Sequence, residues 1–123
     1  MWKDIAPDIL RQRLIIEGMP SRNISSSQIK EYLEGLTKAL DMEKHSGPSL
    51  SHHAEYGLCA HLHWVTSGVH MYTWEQNNQR ATPFFTVDIY TCKAFKEEDA
   101  VEYTKQYFED KGNTLQEIVW RKV

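Results

Sequence analysis

The chain has 123 residues, enough for one domain spanning residues 1–123 built round one core. Its formal charge of −3 gives no reason to expect nucleic acid or an anionic membrane as partner, and 41% apolar with 25% charged residues argues against disorder. No apolar run approaches the roughly 20 residues that cross a bilayer. The opening MWKDIAPDIL lacks the layout of a secretory leader, so the expected location is the cytoplasm.

Arg11 to Gly18, RQRLIIEG, is short and β-branched and predicts a strand. The segment Ser25 to Met42 follows a break at MPSRN. Its Ile29, Leu33, Leu36 and Leu40, with Tyr32 between them, recur at spacings of three and four and mark one face of a helix. Ser25 and Gln28 have capping-box spacing. HSGPSLSHH, residues 45–53, reads as a loop leading into a strand, with Gly47 and Pro48 at the break. Tyr56 to Thr66 predicts a strand, Ser67 and Gly68 a tight turn, and Val69 to Glu75 the returning strand. Residues 76–83 form a polar loop, and Phe84 to Cys92 a further strand. Residues 96–112 carry an apolar stripe, acids in the first turn and Gly112 at the end, which are helix start and stop signals. TLQEIVWRK closes as a strand.

Hairpin-length connections imply a mainly antiparallel sheet, and two amphipathic helices cover only one of its faces. The expected fold is therefore α+β, a two-layer α/β sandwich with both helices on one face. The other face carries His and aromatic side chains, and a second copy of the chain is the simplest cover for it.

Two cysteines, Cys59 and Cys92, cannot make a disulfide framework or a four-ligand zinc site. His61 and His63 alternate along one strand, with His70 across the hairpin and His52 and His53 nearby. A three-histidine metal site is conceivable from that spacing. Imidazoles on a wet or interfacial sheet face explain the pattern equally well, and no partner carboxylate is evident, so no metal is expected.

The run TSGVHMYTWE followed by VDIYTCK resembles the bacterial and archaeal S-adenosylmethionine decarboxylases. These carry a Glu-Ser-His-x-x-x-His-Thr-Trp-Pro-Glu run and then Asp-x-Phe-Thr-Cys-Gly. LRQRLIIEG and HAEYGLCAHL are similar to other strands of that family, so the likeness covers nearly the whole chain. It implies a sandwich that dimerises through its sheets. It also implies a backbone that cuts itself before a serine, which becomes a pyruvoyl group. That carbonyl engages the substrate amine and serves as electron sink while CO₂ leaves, and the product supplies spermidine synthesis.

Carried over by position, Ser67 matches the pyruvoyl-forming serine and Cys92 the proton donor. Thr73, Trp74 and Glu75 match the segment after the site. Departures lie at Thr66 for Glu, Gly68 for His, Tyr72 for the processing His and Lys93 for Gly. At neutral pH Tyr72 donates hydrogen bonds rather than acting as a base, and His70 lies two residues earlier as the other candidate. Trp64, Trp74, Tyr72 and Tyr90 offer faces for a sulfonium, and Glu75 or Asp88 a carboxylate for an amine. The alternatives are a pyruvoyl-free lyase acting on S-adenosylmethionine and a non-catalytic binding or regulatory homologue.

Overall fold

The computed structural model describes all 123 residues. Six strands and two helices run β1 (Gln12–Pro20), α1 (Ser26–Ala39), β2 (Lys44–His53), β3 (Gly57–Trp64), β4 (Ser67–Trp74), β5 (Phe84–Thr91), α2 (Glu97–Asp110) and β6 (Leu115–Lys122). Every strand pairing is antiparallel, in the order β2-β3-β4-β5-β1-β6. Both helices lie on one face, as the period-two and period-3.6 patterns predict.

Helix α1 starts where its capping box allows. The Gln28 backbone N–H donates to Ser25 Oγ at 3.2 Å, and the Ser25 N–H donates to Gln28 Oε1 at 3.2 Å. Its apolar stripe buries Ile29, Tyr32, Leu33 and Leu36. Helix α2 buries Ala100, Val101, Thr104, Tyr107 and Phe108. Under them lie alternate residues of the strands: Leu14 and Ile16, Leu62 and Trp64, Val69 and Met71, Phe85, Val87 and Ile89. The helices meet where Tyr32 Oη lies 2.7 Å from Thr104 Oγ1. Thr104 also donates to the Ala100 carbonyl at 2.8 Å, so the Tyr32 hydroxyl is the donor of the pair.

Two expectations change. Residues 44–53 are strand throughout, an edge strand whose pairing with β3 slips register twice between Lys44 and Ser49. Placing Gly47 and Pro48 in an edge strand needs few ladder bonds, which is why a sequence that reads as a break is tolerated there. The hairpin corner is also earlier than Ser67-Gly68. Trp64 pairs with Ser67, so the corner is Val65-Thr66, with Thr66 at φ 57°. Ser67 opens β4 instead of sitting in the turn. No helix is long and apolar enough to cross a membrane.

Candidate active site on the open face of the sheet

The face without helices presents the other half of each strand's alternation. Cys59, His61 and His63 come from β3, His70 and Tyr72 from β4, Asp88 and Tyr90 from β5, and Arg13 from β1. Register sets them side by side: Cys59 opposite Tyr72, His61 opposite His70, His70 opposite Asp88, and Gly68 opposite Tyr90. Tyr72 and Tyr90 are 43% and 46% exposed, far more than aromatic groups of a core, so this face is open to a ligand or a partner.

A cleft of about 430 Å³ runs along it, walled by Arg13, His63, Ser67, His70, Asp88 and Tyr90. That size falls within the range of small-ligand sites. A smaller one of about 210 Å³, lined by Ser51, Cys59, His61 and Tyr72 among others, adjoins it at His70.

Ser67 stands at the β4 end of the larger cleft. Its Oγ accepts the Cys92 backbone N–H at 2.9 Å. The two residues that the family likeness marks as pyruvoyl precursor and proton donor, 25 positions apart, are thus brought into direct contact. Both are partly exposed, so neither is sealed in the core.

The other predicted residues divide. His70 and Asp88 join the cleft, but Asp88 is already engaged. Arg13 Nε and Nη2 donate to its two oxygens at 2.9 and 2.7 Å, a two-point clamp that raises the guanidinium pKa above its ordinary value. With that charge partnered, Asp88 is not a free carboxylate for a substrate amine. Tyr72 lies on the open face, five residues beyond Ser67 along β4, about 16 Å at strand rise. It does not reach Ser67 of its own chain.

Trp74 and Glu75 lie farther still, at the opposite end of β4. Trp74 packs on Phe84 with ring centroids 5.3 Å apart, and Glu75 Oε1 lies 3.0 Å from His52 Nε2. Trp64 is a correction: its side chain belongs to the helix-facing set, is 2% exposed, and donates Nε1–H to Thr37 Oγ1 at 2.9 Å. An aromatic ring sealed between sheet and α1 has no face to offer a cation.

Arg13 was not singled out by the sequence. Its only signal is its place in the alternation, one residue before Leu14 and therefore on the outward face. That it reaches Asp88 depends on the β1–β5 register, in which Arg13 faces Tyr90 and Asp88 lies diagonally beyond.

Residues 16–121 match the family signature described as S-adenosylmethionine decarboxylase. A solved structure, the adenosylmethionine decarboxylase from Aquifex aeolicus VF5, superposes with a TM-score of 0.62 at 17% identity, covering 94% of this chain and 89% of that one. No curated protein matches the chain. The strand order, the two helices on one face and a family match over nearly the whole length agree: the chain belongs to the S-adenosylmethionine decarboxylase family.

Proposed function

We propose that this protein binds S-adenosylmethionine or a closely related small amine on the open face of its sheet, and that it decarboxylates this substrate after cutting its own backbone between Thr66 and Ser67. The observation that carries the reading is the contact between Ser67 Oγ and the Cys92 amide at the end of the cleft.

The residues fit a pyruvoyl group formed at position 67. The serine opens β4 directly after the hairpin corner, and the preceding residue, Thr66, holds a left-handed φ of 57° that few side chains adopt. The cysteine follows β5 directly, beside it. Such a group supplies an electrophilic carbonyl that accepts electrons while CO₂ leaves. The chain's own part before cleavage is to orient the Ser67 hydroxyl through the Cys92 N–H, and Cys92 is the residue that would return a proton afterwards. Tyr90 and His70 flank the substrate, and the Arg13–Asp88 clamp forms the floor at the β1 side.

Two groups that substrate recognition calls for are missing from this cleft: a free carboxylate for the amine and a donor or base at the fifth residue after the serine. At the other end of β4 stand Tyr72 and Glu75, the latter with Oε1 3.0 Å from His52 Nε2. A second copy stacked antiparallel on the open face would bring them over Ser67. The half-exposed Tyr72 and Tyr90 rings support a homodimer of this kind.

Intact mass of the purified protein tests the reading, with and without borohydride in the presence of S-adenosylmethionine. Two pieces divided before Ser67, and a reducible substrate adduct on the later piece, are expected, and Ser67→Ala abolishes both. A single 14.4 kDa species that still consumes S-adenosylmethionine points to the pyruvoyl-free lyase. A single species that binds it without turnover points to a binding homologue. Either result refutes self-processing.

A further inference from the structure

The two edges of the sheet differ. β2 forms one, and its Gly47, Pro48 and slips of register break up the row of backbone groups it would offer another strand. β6 forms the other, and from Leu115 to Lys122 it holds no glycine or proline. Val119 and Trp120 are half exposed on it, and Val123 just beyond it more so. A regular, open and apolar strand edge is a template for pairing with a further strand. We propose that β6 pairs antiparallel with β6 of a second copy about a two-fold axis through Val119, joining the two sheets into one.

The ladder to β1 fixes which backbone groups are free. The Val123 N–H donates to the Arg13 carbonyl at 3.1 Å, so these two residues form a hydrogen-bonded pair. Such pairs recur at every second residue, so Arg121 and Val119 also turn inward, to Ile15 and Glu17. Between them, Ile118, Trp120 and Lys122 turn their N–H and C=O groups to the open edge. A two-fold axis that brings these groups together passes through Ile118, Val119 or Trp120.

Charge decides among the three. An axis through Ile118 sets Glu117 opposite Val119, and one through Trp120 sets it opposite Val123. The axis through Val119 sets Glu117 opposite Arg121, and symmetry repeats that pair. Both residues are exposed, and neither has an ion-pair partner within the chain. They occupy non-hydrogen-bonded positions of the new ladder, where side chains approach most closely. The same register sets Ile118 of each copy opposite Trp120 of the other. Lys105 of α2 lies over the Trp120 ring at 5.6 Å, which places both residues on the helix side of the sheet. There Ile118 borders a groove of about 370 Å³ with Lys105, Glu109 and Leu115, and Trp120 of the second copy arrives beside it.

Mass by light scattering of the purified full-length chain tests the pairing. The parent should run at an even multiple of 14.4 kDa. Glu117→Arg and Arg121→Glu each set like charges opposite one another at two points, and each should halve that mass. Mixing the two variants in equal amounts should restore it, because every charge then meets its opposite. Circular dichroism confirms that each variant folds. A parent at 14.4 kDa, a mass that neither variant lowers, or a mixture that stays at the halved mass overturns the proposal. The substitutions lie outside the cleft and the readout uses neither backbone cleavage nor turnover, so this result and that of the decarboxylase reading are separate.

Discussion

Removing the acceptor behind Trp64 gives the most direct test of where that ring lies. Thr37 Oγ1 accepts the indole N–H at 2.9 Å and donates to the Leu33 carbonyl at 2.8 Å, and both side chains are almost wholly buried. Thr37→Val keeps the shape and leaves a buried indole N–H with no partner, a loss of about 1–3 kcal/mol. An unfolding entropy of about 2.1 cal/mol/K per residue over 123 residues makes each kcal/mol worth about 4 °C. Thr37→Val should therefore melt about 4–12 °C below the parent. Trp64→Phe loses the same bond and opens a small void, for a similar drop. The double variant should fall short of the sum by about 1 kcal/mol, because both ends of the bond are then gone. Melting by circular dichroism, paired with S-adenosylmethionine titration by calorimetry, reads both consequences. Trp64→Phe should keep its ligand affinity. A Trp64→Phe protein that melts like the parent but no longer binds ligand would refute the placement of this ring in the core.

Three further outcomes follow from the packing. Gly35→Ala should destabilise the protein although alanine is the better helix former, because the added Cβ would lie 2.7 Å from Tyr103 Cζ and closer still to its hydroxyl; pairing it with Tyr103→Ala should restore much of the loss in Tm. Ser25→Ala should cost about 1 kcal/mol, or about 4 °C, by removing the α1 cap. Lys111, and after it the Tyr107 hydroxyl, hold the Glu31 carboxyl below its ordinary range. A lowered folded-state pKa stabilises above the unfolded value and loses that effect as pH falls through the folded one. The Tm difference between parent and Glu31→Gln should thus be largest near neutrality and vanish in acid.

The elements of the fold were legible because each carries a strong local signal. Leu14, Ile15 and Ile16 form an apolar run too short for a helix, Ile29 to Leu36 repeat at helical spacing, and Ser25 with Gln28 announces a helix start. Residues 44–53 were not, because an edge strand needs few ladder bonds and so tolerates a glycine and a proline that usually mean loop. The site was half legible. Motif likeness marks Ser67 and Cys92 as candidates, and the structure brings them into contact across the ends of two different strands. It also drew in Trp64, since a motif says nothing about which face a residue occupies; counting the alternation from Leu62 would have sent that ring inward. Arg13 was invisible because its meaning lies in cross-strand register, which a single sequence does not specify. Trp74 and Glu75 follow Ser67 closely in sequence yet lie far from it, since a strand extends with every residue.

The sheet's strand order bears on what a break at the β3–β4 corner would do. The portion ending at Thr66 owns β1, α1, β2 and β3; the remainder owns β4, β5, α2 and β6. In space β1 is threaded between β5 and β6, while β3 flanks β4. Three of the five ladders therefore cross from one portion to the other, as does the packing of α1 on α2. The two halves are clasped like interlaced fingers, so a severed peptide at this corner would release no strand, and residues 1–66 and 67–123 produced as separate polypeptides should reassemble into the same sandwich.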